Sequence, residues 1–404
     1  MRVLVQKFGG TSLTTGEQRK LVIKKIIAAI EEGNLVVAVV SAMGRNGAAY
    51  ATDTLKNLVS NDHVVSKKDL DLLMSCGEII SSVVLVSELA AAGIKTTCLT
   101  GGQAGIITDD CYNNAHIIQI KPTEIYRALE MNQAVIVAGF QGITEQGQIT
   151  TLGRGGSDTT AAALGVALNA YRIDIYTDVD GVKTADPKIV NNAKTLERIT
   201  YNEICQLAHE GAKVIHPRAV EIAMHGNIPL RVLSTFHDGN GTLVANGTAM
   251  GAQITDSIND KTITGITQKS NVSQLIIHNP QMDQGVSEQV FKVLAAEKIS
   301  VDFISINETE TIFTVKNDDS TQAITLIQNL GLEVSIHHNC AKVAAVGAGM
   351  TGIPGVMAKI VETLTEKKIR ILQSADSYTS IWCLVSQEDM EEAVRALHEK
   401  FNLG

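Results

Sequence analysis

Two glycine-containing segments of the chain combine backbone freedom with positive charge, a combination suited to binding anions. The first reads KFGGTS at residues 7–12, where paired glycines let backbone N–H groups approach an anion and Lys7 places a cation beside them. The second reads GRGGSD at residues 153–158 and leads into an Ala- and Leu-rich helical segment, whose first turn leaves N–H donors free. In it, Arg154 can hold a carboxylate or phosphate with two parallel hydrogen bonds, and Asp158 can orient a lysine, a backbone amide or a magnesium ion.

Each of these segments also has an interpretation without a ligand. Glycine turns after strands are common, and GRGGSD also fits an N-cap Ser or Asp beside a solvated arginine. Two further segments also allow both a ligand-binding and a purely structural interpretation. TDVDGVKTADP, residues 177–187, could line a base and ribose or form an ordinary loop, and Lys213 in GAKVIHP could bind a ligand or lie solvated on the surface. The P-loop pattern GxxxxGK[ST] is absent, which excludes that class of nucleotide binder.

Alternating β-rich and amphipathic helical segments surround these motifs. We predict strands at residues 2–8, 35–41, 95–100, 134–138, 170–177 and 229–234. We predict helices between them at residues 18–32, 69–92, 123–131, 159–168 and 201–209. This alternation indicates a largely parallel sheet covered by helices on both faces, and such sheets bind ligands beyond the carboxyl ends of their strands. The glycine motifs that follow the strands are therefore expected to meet at that edge.

The overall composition excludes several classes of protein. The chain has 404 residues, 45% of them hydrophobic, which predicts two or three folded domains. Its 34 basic and 43 acidic residues give a net charge of -9, so nucleic acid is not an expected partner. A membrane is not expected either, because the most apolar stretch, residues 79–86, is broken by two serines and is shorter than the ~20 residues of a span. The six cysteines form no CxxC pair, and the N-terminus is unlike a signal peptide, which predicts a cytoplasmic protein with reduced thiols.

The C-terminal part of the sequence contains an approximate internal repeat. After a polar, glycine-bearing segment at residues 237–261, residues 274–337 read as strand, helix, strand, strand, helix, strand. Residues 342–401 repeat this order but end before a fourth strand. A spare apolar run at residues 262–267 could supply that strand, which would make the two modules interleaved. We therefore predict one domain at residues 1–245 and two further modules at residues 262–340 and 341–404.

Taken together, these segments resemble the aspartokinases, which have the amino-acid kinase fold. The matching segments occur in the order of that family: KFGGTS, VVSAMG (residues 39–44), GRGGSD, TDVDGV, ADP and GAKVIHP. The two C-terminal modules look like the family's paired ACT domains. The resemblance implies an α/β fold, with a three-layer αβα amino-acid kinase domain and a mostly parallel sheet, followed by two ferredoxin-like βαββαβ (ACT) modules. It also implies phosphorylation of the β-carboxylate of L-aspartate by ATP with Mg²⁺ to give 4-phospho-L-aspartate, the first step toward lysine, diaminopimelate, threonine and methionine.

The same resemblance implies roles for individual residues. The implied nucleotide-binding residues are Lys7, Phe8, Gly9, Gly10, Ser41, Thr177, Asp178, Gly181, Val182, Lys183, Lys188 and Lys213. The implied aspartate-binding residues are Ser41, Thr52, Glu78, Arg154, Gly155 and Ser157. Lys7, Lys213 and Asp158 would be catalytic, with the two lysines neutralising charge and Asp158 orienting them. Mg²⁺ would be carried by ATP rather than by protein ligands, no tightly bound cofactor is expected, and the ionised substrate carboxylate would need no general base.

The sequence departs from the family pattern in three places. The short run that follows AMG in the family is lengthened here to RNGAAYATD, residues 45–53, which weakens the assignment of Thr52 to the substrate. Lys183 stands where many relatives have Tyr, and Lys188 stands where they have Arg. These two changes would alter the rim of the nucleotide site.

The ACT resemblance implies feedback by an amino acid bound between paired modules. Residues 281–286 enter a helix start suited to a ligand carboxylate, and Asp302 in ISVDFI would face the ligand's ammonium group. The implied effector-binding residues are Met282, Asp283, Gly285, Val286 and Asp302, although a capped turn and a solvated Asp would give the same pattern. Lysine, threonine and meso-diaminopimelate are all candidate effectors, and diaminopimelate is the first expectation because the match is closest to the bacillar type. A homodimer through the ACT modules is expected, and Met250 could start a short regulatory chain.

Two other functions remain as alternatives. The first is another small-acid kinase, for glutamate or acetylglutamate, but these lack the paired C-terminal modules and the full set of motifs. The second is a catalytically inactive amino-acid sensor that has kept its ACT pair. The presence of Lys7, Asp158 and Lys213 argues against the sensor.

Overall fold

A computed structural model describes residues 2–59, 65–209, 211, 214–246, 262–279, 285–350 and 353–404 of the chain. These residues form two compact units. The first comprises residues 1–182, 195–208 and 213–258, and the second comprises residues 183–194, 209–212 and 259–404. Residues 183–194 thus pack with the second unit, although they lie inside the stretch predicted as catalytic.

The first unit alternates strands and helices along the chain. Its described strands are β1 (Arg2–Phe8), β2 (Asn34–Val40), β3 (Thr96–Leu99), β4 (Ile106–Thr108), β5 (Ile117–Ile120), β6 (Ala134–Ala138), β7 (Gln141–Ile143), β8 (Ile149–Thr151), β9 (Arg172–Thr177), β10 (Arg198–Ile199), β11 (Leu230–Ser234) and β12 (Thr242–Val244). Its described helices are α1 (Gly10–Leu13), α2 (Gly16–Glu31), α3 (Thr52–Lys56), α4 (Lys67–Ala91), α5 (Thr123–Met131), α6 (Gly156–Ala167), α7 (Tyr201–His209) and α8 (Pro217–Gly226).

An eight-stranded sheet forms the centre of this unit, in the order β10-β12-β11-β9-β1-β2-β6-β3. Its pairings are parallel except between β11 and β12. Alternate residues of β1, Leu4 and Phe8, pack against Val22 and Ile26 of helix α2 on one face. On the other face Ile173 of β9 lies against α6, where a Cβ on Gly165 would overlap the isoleucine side chain. Helices therefore cover both faces, which confirms the three-layer αβα prediction with a mostly parallel sheet.

A second, four-stranded sheet was not predicted from the sequence. Its order is β5-β4-β7-β8, with antiparallel pairing at both ends and a parallel contact between β4 and β7. Each of its strands has three or four residues, too few for an alternating pattern to stand out. This small sheet packs beside helix α4 and leads directly into the GRGGSD turn.

Helix α4 contains a longer apolar stretch than residues 79–86, which the sequence analysis singled out. It has 25 residues with a mean hydropathy of 1.7 over its most apolar stretch, so length and composition alone would let it span a membrane. Its buried residues include Asp71, Ser75, Glu78, Ser81 and Ser82, which lie inside the first unit. We therefore assign α4 to the core of this unit.

The second unit is built on a six-stranded antiparallel sheet in the order β14-β15-β13-β16-β18-β17. Its described strands are β13 (Gly265–His278), β14 (Asp302–Ile306), β15 (Glu310–Lys316), β16 (Val334–Val346), β17 (Gln373–Asp376) and β18 (Ser380–Ser386). Its described helices are α9 (Val286–Ala296), α10 (Asn317–Asn329), α11 (Val356–Glu366) and α12 (Met390–Lys400).

Two long strands are shared between the halves of this sheet. The C-terminal half of β13 pairs with β15 and with the N-terminal half of β16. The N-terminal half of β13, from Gly265 to Lys269, pairs with the C-terminal half of β16, which in turn pairs with β18. Each half is thus a four-stranded βαββαβ arrangement, and the start of β13 supplies the strand that the second repeat lacks. This is the pairing that interleaved modules require.

Candidate active site

A cavity of about 480 Å³ opens at the carboxyl ends of β1 and β2 in the first unit. The motifs after β1 and β2 meet there because parallel strands end at one edge of a sheet, and β8 of the small sheet leads GRGGSD to the same cavity. The cavity is lined by Lys7, Gly10, Ser41, Ala42, Gly44, Thr52, Asp53, Lys56, Met74, Glu78, Asn113, Phe140, Gly153, Arg154, Gly155, Gly156, Ser157 and Asp158. Its volume is that of a small-ligand site.

Lys7 and Asp158 form an ion pair in the wall of this cavity. The Lys7 ammonium lies 2.6 Å from Asp158 Oδ1, and the two side chains are 12% and 13% exposed. Asp158 stands in the first turn of α6, whereas Lys7 is next to last in β1. The Oδ1 atom of Asp158 is itself buried, so the Lys7 ammonium is the group that meets its charge. The pair places a cation and an anion side by side, each accessible to a ligand.

The glycines of the two motifs are required by close packing. A Cβ on Gly10 would lie 2.5 Å from the carbonyl oxygen of Ala42, so no other residue fits between the first turn and the AMG segment. Gly155 has a left-handed φ of 67° and is the N-cap of α6, where a Cβ would overlap the ring of His216. These turns bring the N-terminus of α6 to the cavity, where its free N–H groups and dipole favour anions.

Arg154 projects from the turn between these glycines. It is exposed and lines the cavity, and it makes no hydrogen bond or ion pair with any residue in the described ranges. A guanidinium in this state is available for a carboxylate or phosphate.

Glu78 contributes a buried carboxyl group from helix α4. It is 2% exposed, and Oε1 accepts a hydrogen bond of 3.0 Å from the backbone N–H of Ala42. Oε2 has no hydrogen-bond partner among the residues described. Burial raises the pKa of Glu78 to about 8, although the Ala42 hydrogen bond opposes the shift. The site therefore presents a carboxyl group that would ionise readily beside a cationic ligand.

The remaining residues implied for the substrate also line the cavity. Ser41 follows β2, Thr52 opens the short helix α3, and Ser157 lies in the first turn of α6. The lengthened loop thus keeps Thr52 at the cavity wall.

Five further residues at the cavity were missed by sequence reasoning: Asp53, Lys56, Met74, Asn113 and Phe140. Asp53 and Lys56 share the short helix α3 with Thr52, so spacing from Thr52 was a usable signal. Asn113 comes from the loop between two three- or four-residue strands, and no local pattern in the sequence relates it to α4.

The residues implied for the nucleoside lie near the end of β9, beside β1. Tyr176 pairs with Phe8, and the two rings stack with centroids 4.8 Å apart, so the Phe8 side chain belongs to the core. Thr177 ends β9, and its hydroxyl donates to Asp178 Oδ1 at 3.2 Å. Arg45 of the lengthened loop forms a 2.6 Å ion pair with Asp178.

Gly181 and Val182 continue this segment as part of the first unit. Gly181 has a φ of 142°, a backbone conformation that favours glycine, and Val182 is buried with its N–H donating to Thr242 Oγ1 at 2.9 Å. Lys183 and Lys188 belong to the second unit. Lys213 lies outside the described residues, so its predicted role stays a prediction.

The residues implied for the effector are partly described. Met282 and Asp283 lie outside the described residues, whereas Gly285 caps α9 and Val286 is its buried first residue. Asp302 is the first residue of β14, and other residues of the chain bind its carboxylate. Oδ2 accepts a hydrogen bond of 2.9 Å from Lys342 and lies 3.6 Å from Lys269. Although burial opposes it, the Lys342 hydrogen bond and charge lower the pKa of Asp302.

Lys342 is buried under aromatic rings in the second unit. Its side chain is 1% exposed, and its ammonium lies 4.7 Å from the ring centre of Trp382 and 5.2 Å from that of Phe303. Phe303 has a left-handed φ of 58°, which is rare for an aromatic residue, and Gln373 donates to its carbonyl oxygen at 2.7 Å. We call Lys342, Asp302, Phe303 and Trp382 the lysine cage.

One group of possible metal ligands occurs in the described part of the chain, and none of its members lines the cavity. Ligand atoms of Asp109, Cys111 and His116 lie within 4.8 Å of one another. The Asp109 carboxylate accepts the backbone N–H groups of Cys111 and His116, so it already stabilises the turn that connects them.

Comparison with known proteins identifies the class to which this fold and cavity belong. Residues 2–234 match the amino acid kinase family, and residues 281–329 and 335–399 each match an ACT domain. An amino acid kinase domain joined to ACT domains is a kinase under allosteric regulation.

Full-length relatives narrow the class further. The chain is 50% identical over 405 residues to aspartokinase 1 of Bacillus subtilis, with 100% of both chains covered. It is 40% identical to an aspartokinase of Geobacillus stearothermophilus, covering 100% of this chain and 98% of that one. The chain therefore belongs to the aspartokinases, as the resemblance of its motifs predicted.

Solved structures agree with this assignment. Escherichia coli aspartokinase III in complex with aspartate and ADP matches with a TM-score of 0.78 at 25% identity, covering 98% of this chain and 99% of that one. The same enzyme in complex with lysine and aspartate matches with a TM-score of 0.77 at 26% identity, covering 99% of each chain.

Proposed function

We propose that this enzyme transfers the γ-phosphoryl group of ATP to the β-carboxylate of L-aspartate, giving 4-phospho-L-aspartate for lysine, diaminopimelate, threonine and methionine synthesis. The observation that carries the proposal is the composition of the cavity. One wall carries Lys7 and the glycine turn for phosphates, and the same cavity holds Glu78 and Arg154 for an amino acid. A related enzyme has been crystallised with aspartate and ADP, which supports the same pair of ligands here.

Aspartate has three charged groups, and the cavity offers a partner for the two that do not react. Arg154 would hold the α-carboxylate with two hydrogen bonds, and the unpartnered oxygen of Glu78 would accept from the ammonium. Ser41, Thr52, Gly155 and Ser157 would surround the substrate. The β-carboxylate is then left free to face the nucleotide.

The ammonium of aspartate would also set the charge of Glu78. The carboxyl group is largely protonated at neutral pH in the free enzyme, because burial raises its pKa to about 8. An ammonium beside Oε2 would lower that pKa, so binding of aspartate would release a proton from Glu78. Such a site selects ligands that bring their own positive charge.

Phosphoryl transfer would follow from positioning and charge neutralisation. A β-carboxylate oxygen attacks the γ-phosphorus as the bond to the β,γ-bridging oxygen breaks, and ADP leaves without any proton transfer. Lys7 and Lys213, with the N–H groups near Gly9 and Gly10, would balance the charge on the phosphates. Asp158 would hold Lys7 in place across the 2.6 Å contact.

The nucleoside and metal would add the remaining contacts. Thr177, Asp178, Gly181 and Val182 would bind the base and ribose. Mg²⁺ would enter with ATP as part of the co-substrate and reduce the charge on the phosphates.

Regulation would act through the ACT modules of a cytoplasmic homodimer. Meso-diaminopimelate, lysine or threonine would bind with its carboxylate near residues 282–286 and its ammonium near Asp302. Because Lys342 already donates to Asp302, the effector ammonium and the Lys342 ammonium would both bind this carboxylate. A short ACT-only chain from Met250 remains part of the proposal.

Formation of an acyl phosphate tests this function. The enzyme would be incubated with ATP and Mg²⁺ on aspartate, glutamate and acetylglutamate, with hydroxylamine to trap the product, and with or without each candidate effector. We expect turnover on aspartate alone, lowered by one of the three amino acids. Turnover on another acid would reassign the substrate, and binding of an amino acid without any turnover would support the sensor.

A further inference from the structure

Asp71 is a buried carboxylate in helix α4 that the proposed chemistry does not use. It is completely buried and accepts hydrogen bonds from the backbone N–H of Thr151 at 2.8 Å and from the Thr151 hydroxyl at 2.7 Å. It also accepts the backbone N–H of Asn113, at 3.1 and 3.0 Å to its two oxygens. A buried charge with this many donors fixes the positions of the elements that supply them.

The elements joined by Asp71 carry two substrate-binding groups of the cavity. Glu78 lies seven residues further along α4, which is two helical turns on the same face. Arg154 lies three residues beyond Thr151, the last residue of β8. The hydrogen bonds between Asp71 and Thr151 therefore directly join the helix that holds Glu78 to the strand that leads to Arg154.

The loop of Asn113 strengthens this tie from the other side. Asn113 lines the cavity and has a left-handed φ of 70°. A Cβ on Gly153 would lie 2.6 Å from the side-chain oxygen of Asn114 and 3.1 Å from the carbonyl oxygen of Asn113. The loop thus packs against the residue that precedes Arg154, while its backbone is held by Asp71.

We propose that Asp71 is a positioning residue that sets the separation between Glu78 and Arg154, and hence the fit of the α-amino and α-carboxylate groups of aspartate. This inference rests on the proposed function, because it concerns the same cavity. Both groups of the substrate must be held at once for the β-carboxylate to point at the nucleotide. ATP is bound through other residues, so loosening the contact would weaken binding of aspartate and leave binding of ATP unchanged.

Two adjacent threonines provide a matched experiment. Thr150 and Thr151 are both completely buried in β8, but the Thr150 hydroxyl pairs with the hydroxyl of Thr108 at 2.6 Å instead of with Asp71. Thr151→Val and Thr150→Val each remove one buried hydroxyl with little change of shape. For each variant we would measure kcat, the KM values for aspartate and ATP, and the melting temperature.

Thr151→Val is expected to raise the KM for aspartate about tenfold, because it removes a hydrogen bond to a buried charge. The KM for ATP and kcat should stay within about twofold, and Thr151→Ser, which keeps the hydroxyl, should restore the KM for aspartate. Thr150→Val should lower the melting temperature without changing either KM. Asp71→Asn is the second test of the contact and should raise the KM for aspartate further.

An equal rise in the KM for aspartate in Thr150→Val and Thr151→Val would overturn the inference, since it would show a general loss of stability. So would a rise in the KM for ATP equal to that for aspartate, or an unchanged KM in both Thr151→Val and Asp71→Asn. If the unaltered enzyme turns over aspartate, these outcomes leave the proposed function standing. An unaltered enzyme without turnover of aspartate would overturn both.

Discussion

Two lysine–aspartate pairs, one in each unit, have the same chemistry and different surroundings. Lys7 and Asp158 lie 2.6 Å apart in the wall of a cavity, and both side chains retain a small exposure to it. Lys342 and Asp302 lie 2.9 Å apart, but the lysine is sealed beneath Trp382 and Phe303 while the aspartate is 47% exposed. A ligand in the cavity can contact both the lysine and the aspartate of the first pair. In the second pair only the carboxylate is accessible to a ligand.

This difference predicts opposite consequences when the lysine is removed. We expect the loss of Lys7 to affect chemistry more than folding, because water in the cavity can take the place of its ammonium beside Asp158. A cation under aromatic rings contributes to folding, because its loss removes the attraction to the rings and leaves a half-buried carboxylate with one fewer donor.

The largest effect is expected for Lys7→Met. The rate of aspartyl phosphate formation should fall by about a hundred- to a thousandfold, since a cation next to the transferred group is lost. Initial rates measured with the hydroxylamine trap would check this, and the melting temperature should change little. Lys20→Met, which removes an exposed lysine paired with Glu17, is the control and should keep full activity. A Lys7→Met enzyme with normal rates would remove Lys7 from the mechanism.

Lys342→Met should lower the stability of the second unit and leave the rate of the reaction unchanged. Methionine keeps the length and the apolar contacts, so the expected loss is about 1–3 kcal/mol in the free energy of unfolding of the second unit. Trp382 is the single tryptophan of the chain, and its fluorescence during urea unfolding reports on this unit directly. Without effector the rate on aspartate should be unchanged. Wild-type unfolding in this variant would show that the lysine cage adds no stability.

The pH dependence of aspartate binding tests the buried carboxyl group of the cavity. The pKa of Glu78 is raised to about 8, and only its ionised form attracts the substrate ammonium. The KM for aspartate should therefore fall about tenfold per pH unit from pH 6 to pH 7 and level off above about pH 8. Steady-state rates at a series of pH values would check this, and Glu78→Gln should raise the KM and abolish its slope.

The raised pKa of Glu78 also makes the stability of the folded protein fall as the pH rises. Because the folded pKa of Glu78 lies above the unfolded value, its contribution is fully present below about pH 4.5 and is lost as pH rises through about 8. Glu78→Gln should therefore melt higher than the unaltered enzyme at pH 9 by a larger margin than at pH 6. A constant difference between the two would contradict the raised pKa.

The smallest expected effect is that of Asp302→Asn on inhibition. The half-inhibiting concentration of the effector should rise about fivefold, since an amide accepts less strongly from an ammonium than a carboxylate does. Activity without effector should not change. Asp376→Asn, at the exposed end of β17, is the matched control in the second module. Equal inhibition of Asp302→Asn and the unaltered enzyme would place the effector elsewhere.

The sequence predicted the large sheet well, because its strands are continuous apolar runs that end in glycine turns. Strand β1 was predicted with its observed bounds, and β6 likewise. The GRGGSD segment was recognised for the same reason, since the left-handed Gly155 and the helix start of α6 are local properties. Such features depend on neighbours in the chain, and a sequence displays those directly.

Features that depend on distant neighbours could not be predicted in this way. Asp71 looks like one polar residue of a helix start, and only the structure places Thr151 against it. Lys342 stands in an alternating strand pattern, and nothing near it in the chain indicates Trp382 above its ammonium. The strands of the small sheet are too short to give a recognisable alternating pattern, so the loop that carries Asn113 to the cavity was missed as well.

The comparison between the two pairs rests most directly on one measurement: the rate of aspartyl hydroxamate formation by Lys7→Met and by Lys342→Met, at saturating aspartate and ATP and without effector. We expect a loss of at least about a hundredfold in the first variant and a rate within about twofold of the unaltered enzyme in the second. Equal losses in both variants, or a loss confined to Lys342→Met, would contradict it.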